Sequence, residues 1–191
     1  MNLRKFISTT IHEYLNEQHL NEGLFKTDNT IKKYEKYMID AVINFFKHEW
    51  NFDAKITVKK KQSNHLIGDI SLNNNSVVHN KFTLHFNPNQ SYLEVIKSLI
   101  HELTHIKQVY IGELKPKSDW KSIIWKDDYE LTVREYNKKM KNFNEYKELP
   151  WEKEAYDNMF DTSLRNKLFQ SDFWVKLKGK DPTLDYIIDN I

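Results

Sequence analysis

His101 and His105 stand four residues apart with Glu102 between them, in the run His101-Glu102-Leu103-Thr104-His105. On a helix, residues four apart lie one above the other, so two imidazoles at this spacing can grip one zinc ion from a rigid backbone. A glutamate one step on lies about 100° around the helix, beside such an ion rather than on it. There it can take a proton from an activated water. With this content of His and Glu, chance produces the HExxH pattern roughly 2% of the time. Taken singly, each His reads as a solvated surface ring or a core ring satisfied by a hydrogen bond. The pair with its intervening Glu is what points to a metal.

A catalytic zinc takes three protein ligands and keeps one position open. Cysteine is absent, and the eight histidines (12, 19, 48, 65, 79, 85, 101 and 105) all lie at or before the motif. The third ligand is therefore expected to be a carboxylate, and Trp151-Glu152-Lys153-Glu154-Ala155-Tyr156-Asp157 offers two. Glu152 and Glu154 are about 200° apart on a helix, so only one can face the ion. Glu152 shares its arc with Ala155, Tyr156 and Met159, and Glu154 shares its arc with Asn158 and Asp161. The less polar arc favours Glu152. The competing explanation is that both are ordinary first-turn acids facing the positive end of the helix dipole. Hydrolysis also needs a donor for the developing oxyanion. Tyr129, Tyr136, Tyr156, His79 and His85 are candidates, each better explained by core packing or a strand-face position, so none joins the catalytic list.

The elements that must position these groups follow from periodicity. Leu3, Ile7, Ile11, Tyr14 and Leu15 predict an amphipathic helix to Gln18, with Gly23 as a stop. This first helix (within 1–22) reads as peripheral. It either packs on the domain, the simpler reading, or serves as a pro-segment or docking peptide. A second helix is expected over Thr30–Trp50. Ala54–Lys59, Leu66–Leu72 and Lys81–Phe86 read as strands, the first and last as half-buried ones. Ser91-Tyr92-Leu93-Glu94 is a capping box opening the HExxH helix, whose stripe Tyr92, Ile96, Leu99, Leu103, Ile106 and Tyr110 runs until Gly112. On this wheel both His fall on the polar side. Ser122–Val133 reads as a hairpin. Leu149-Pro150-Trp151 opens one last long helix, with Pro where the first turn tolerates it. The fold class is α+β in a single domain spanning 1–191.

Composition narrows the partners. The chain has 191 residues with 29 Lys plus Arg against 27 Asp plus Glu, too even for nucleic acid or an anionic membrane as main partner. The basic run Lys59-Lys60-Lys61 reads as a solvated strand end before it reads as a nucleic-acid contact. With 11 Phe, 10 Tyr and 5 Trp the chain can bury a core, and 4 Gly with 4 Pro imply regular elements. Lack of Cys removes disulfides, thiolate nucleophiles and iron–sulfur clusters. No apolar run is long enough for a membrane span and no signal-peptide h-region is present, so a cytoplasmic protein is expected.

These residues resemble zincin metallopeptidases of the gluzincin type, in which an HExxH helix is followed by a helix carrying a Glu ligand in a Glu-x-x-Ala-like setting. Glu152-Lys153-Glu154-Ala155 has that form, which supports Glu152 over Glu154. Two blocks, His101 to Gln108 with Gly112-Glu113-Leu114, and Leu149 to Tyr156, resemble small uncharacterised metallopeptidase-like proteins of phage and environmental bacteria. That implies a host-cytoplasmic or virion-associated setting. The resemblance spans about residues 81–160. It implies a zincin-like fold with a small, mostly antiparallel sheet whose edge strand, Phe82–Phe86, pairs with an extended substrate. It also implies one catalytic zinc on His101, His105 and Glu152, Glu102 as general base, and a protein or peptide as substrate. One departure bears on the outer shell. Thermolysin-like members place an Asp four residues after the Glu ligand to orient a zinc-bound His, and Tyr156 stands there instead. SprT-like proteases share HExxH but use a third His, which this chain lacks. The alternative reading is a non-catalytic module, the same fold kept for binding a protein partner or as a phage structural accessory.

Overall fold

The computed structural model describes residues 33–60, 68–72, 81–87, 90–117 and 121–190. The expected first helix, its Gly23 stop, Lys61, and His79 lie outside the described residues. The described elements are α+β: helices precede, separate and follow two small sheets.

Helix α1 (Lys33–Glu49) buries Met38, Ile39, Val42, Phe45 and Phe46 along one stripe. It ends in a left-handed Asn51 (φ 49°), with Phe52 N–H donating to the Lys47 carbonyl at 3.0 Å and Asn51 N–H to His48 at 3.3 Å. This pairing satisfies the last carbonyls of the helix, and Asn tolerates the left-handed region better than most side chains.

Strands β1 (Lys55–Lys60), β2 (Gly68–Leu72) and β3 (Lys81–Phe86) form a mixed sheet in the order β1-β3-β2. β3 runs parallel to β1 and antiparallel to β2. This corrects the expectation that Phe82–Phe86 is an edge strand. The burial pattern gives the reason. Phe82, Thr83, Leu84 and Phe86 are all buried, so β3 hides both faces and belongs in the middle, whereas β1 alternates exposed and half-buried and takes the rim.

Helix α2 (Tyr92–Tyr110) carries the HExxH run. The Ser91 hydroxyl accepts from the Glu94 N–H at 3.3 Å, while the Glu94 carboxylate turns to Lys97 at 2.8 Å. A reciprocal capping box occurs instead between Thr132 and Glu135. Gly112, at φ +78°, ends α2 as expected, with its N–H donating to the Val109 carbonyl.

The second sheet, β4 (Leu114–Pro116), β5 (Ser122–Trp125) and β6 (Tyr129–Thr132), is antiparallel throughout. The hairpin is where the pattern put it; β4 is too short to leave a periodic signal. Helices α3 (Val133–Lys139) and α4 (Phe143–Lys147) lead to α5 (Pro150–Phe160). The expected single last helix is instead α5, α6 (Thr162–Gln170), α7 (Asp172–Val175) and α8 (Pro182–Asn190). Asp161 and Ser171 cause the first two breaks. Each takes an extended backbone and uses its side chain to cap the next helix, through Leu164 N–H at 3.1 Å and Trp174 N–H at 3.3 Å.

α2 is the axis of the assembly. It packs against α1, β2, β3, β4 and α5, and Ile96, Leu99, Ile100, Leu103 and Ile106 are completely buried. No helix among the described residues is long and apolar enough to cross a membrane.

Candidate metal centre

The polar side of α2 does not meet water. His101, Glu102, Thr104, His105 and Gln108 are all buried, because α5 lies across them. The helical wheel placed both His on the polar side; the covering helix is what the wheel of a single segment cannot show. Ala155, fully buried, lets the two helices approach closely. Asn158 Nδ2 donates to Thr104 Oγ1 at 3.2 Å, and that hydroxyl donates to the Ile100 carbonyl at 2.9 Å.

The start of α5 is fixed by Pro150 at its first turn and by Trp151. The Trp151 ring is enclosed by Trp125, Tyr129 and Tyr136, with centroids 6.4, 6.1 and 6.4 Å away. With that anchor in place, the next side chain points at α2. Glu152 Oε2 stands 3.4 Å from His105 Nε2 and 3.6 Å from His101 Nε2, and the two ring nitrogens are 3.1 Å apart. Glu154 points elsewhere, to Lys107 at 3.3 Å and Lys126 at 3.4 Å. The structure therefore brings together His101, His105 and Glu152 and excludes the alternative carboxylate.

These separations can be tested against a metal. Zinc bonds of about 2.0–2.1 Å at tetrahedral angles place neighbouring ligand atoms about 3.3 Å apart. The three observed edges bracket that value. Glu152 is 1% exposed, and among the described residues neither of its oxygens has a hydrogen-bond donor at ordinary geometry. A buried carboxylate so placed requires a positive charge. Two imidazoles and a carboxylate within 4.8 Å of one another can supply that need by holding a divalent ion.

Without an ion, a proton does the same work. Burial alone would lower His105, yet the Glu152 carboxylate beside it raises it to about 9. Burial would raise Glu152, and the charged His105 together with contacts to both rings holds it down to about 2. His101 stays below the ordinary histidine value, first through burial, with the charge on His105 adding to the effect. In the absence of an ion, these opposed shifts favour a charged His105 beside a charged Glu152.

Around this triad the outer contacts differ for the two rings. His105 Nδ1 meets Gln108 Oε1 at 2.9 Å, and Gln108 Nε2 donates to the Trp151 carbonyl at 3.0 Å. Tyr156, at the position where the resemblance expects Asp, sets its ring edge-on to His101 with centroids 4.7 Å apart. Asp157 is exposed and takes no part. Glu102 is 1% exposed and close enough for its charge to act on His105. Of the oxyanion candidates, Tyr136 is buried in the core and Tyr129 packs on Trp151. His85 sits on β3, and Tyr156 touches the His101 ring of the triad. Lys60 of the basic run is tied to Glu35 at 2.7 Å in a largely buried pair, rather than solvated. The residue that sequence reasoning passed over is Gln108. Its signal was its place three residues after His105, on the same helix face.

No family model, curated protein or solved structure matches the chain.

Proposed function

We propose that this protein is a zinc-dependent peptidase with a zincin-like fold of the gluzincin type, acting on protein or peptide substrates. One observation carries the reading: the ligand atoms of His101, His105 and Glu152 converge at spacings that suit a tetrahedral ion, on a helix that also presents Glu102. His101, His105 and Glu152 would hold the ion. Bound zinc supplies a positive charge that lowers the pKa of a coordinated water toward about 7. Glu102, next to the ligands but outside their set, accepts the proton of the attacking water on its carboxylate and passes it to the leaving amine.

A second reading is favoured by the burial of the whole group. His101, Glu102, His105 and Glu152 are at most 3% exposed, which suits an ion that only braces the fold of a protein-binding module. Glu102 argues against it, because a bracing ion has no use for a proton acceptor beside it.

Metal analysis of the purified protein and of His105→Ala and Glu152→Ala variants tests the centre. Stoichiometric zinc in the parent and its loss in both variants is expected, and full occupancy in His105→Ala would end the assignment. Glu102→Gln then separates the two readings. It should keep zinc and lose hydrolysis of an unfolded protein substrate. Absence of hydrolysis in the parent supports the bracing ion, and equal hydrolysis in both forms points to a different site.

A further inference from the structure

We infer that Gln108 is a positioning residue that fixes the hydrogen of His105 on Nδ1 and so reserves Nε2 for the ion, an inference that rests on the metal centre proposed above. Hydrogen-bond chemistry alone leads to it. A backbone carbonyl accepts and never donates, so the amide nitrogen of Gln108 must be the atom facing Trp151, at 3.0 Å. The amide oxygen then faces His105 Nδ1 at 2.9 Å, and an amide oxygen only accepts. Nδ1 must therefore carry hydrogen. In a neutral ring the lone pair is left on Nε2, the atom that faces His101 and Glu152. Gln108 and Trp151 are buried at 0% and 1% exposure, so bulk water does not reverse the amide.

The same amide does a second job. Its Trp151 partner immediately precedes Glu152, so one side chain sets both the donor atom of the second ligand and the height of the third. His101 has no counterpart. Its Nδ1 lacks a hydrogen-bond partner among the described residues, and its ring is held by packing against Tyr156.

Two variants of the full chain separate the halves of the amide. Gln108→Met has similar length but accepts only weakly and cannot donate; Gln108→Glu keeps a strong acceptor for Nδ1 and offers no donor to Trp151. The first readout is the ring ¹⁵N spectrum of metal-free protein near pH 10, above the titration of the ring. The second is the affinity for zinc alone, against a competing chelator. The parent and Gln108→Glu should show His105 protonated on Nδ1. Gln108→Met should revert to the Nε2–H form that a free histidine side chain prefers, and bind zinc about 10–100-fold more weakly. Retention of the Nδ1–H form or of full affinity in Gln108→Met overturns the inference. Should that variant fail to fold, loss of the Nδ1–H signal in Gln108→Glu overturns it instead. A parent that binds no zinc sinks the metal centre, while its ring spectra still decide on which nitrogen Gln108 holds the hydrogen.

Discussion

Glu152 Oε2 lies 3.4 Å from His105 Nε2, and this approach joins two helices that the chain separates by a whole sheet. Replacing Glu152 with Ala should weaken zinc binding by more than the roughly 10–100-fold typical of an outer-shell partner. Glu154→Ala is the matched control. Its partners Lys107 and Lys126 are partly exposed, so it should leave zinc affinity within about twofold and cost no more than about 1 kcal/mol. Isothermal titration with zinc, paired with thermal melts, checks both. A greater loss from Glu154→Ala would exchange the two roles.

Proton and metal compete for the same atoms. With His105 raised to about 9 by Glu152, and with Glu152 held down to about 2, a zinc ion bound here would have to displace one proton near neutrality. Affinity should climb up to about tenfold per pH unit from about pH 6 and flatten above about pH 9. Titrations in buffers of different ionisation enthalpy should report about one proton released per ion at pH 7. In the metal-free protein the sign follows from the same pair. The His105 contribution to stability is complete below about pH 6.5 and is lost as pH rises through about 9. The Glu152 contribution is present above about pH 4.5 and is lost as pH falls through about 2.

Zinc should also stabilise the fold. An ion bound to the folded chain alone adds about 4 kcal/mol at a thousandfold excess over its dissociation constant. Urea unfolding with zinc and with chelator measures this. His105→Ala should show no difference between the two conditions, and an unchanged gain in that variant would place the ion elsewhere.

Trp151 anchors the turn that delivers Glu152. Trp151→Ala should cost about 3–5 kcal/mol, because its ring fills the space among Trp125, Tyr129 and Tyr136. It should weaken zinc binding too, since Glu152 then loses its fixed position. A variant that loses stability but binds zinc with parental affinity would show that α5 is held without the ring.

The centre was legible in the sequence because two of its ligands are local and the third is picked out by its own helix. His101, Glu102 and His105 fall within one helical turn, and the choice of Glu152 over Glu154 follows from which arc is less polar. What depends on distant partners was not legible. Phe82–Phe86 alternates like a rim strand, yet Thr83 is buried too, and only the neighbours on both sides explain it. The polar side of α2 reads as solvent-facing until α5 covers it. Asp161 and Ser171 look like ordinary helix-surface residues, and their role as caps becomes visible only once the backbone turns. Gln108 carries no motif signal of its own, because its second contact is a main-chain oxygen on another helix.

The chain has no cysteine, so it holds no disulfide. An ion gripped by α2 and α5 would act as its substitute: a reversible staple closing the long excursion through the second sheet and the helices beyond it. Like any tie across a large loop, it would join segments that the chain itself leaves far apart. Unlike a disulfide, it could be withdrawn by a chelator and restored by the metal, so the cohesion of these two segments would track the supply of free zinc.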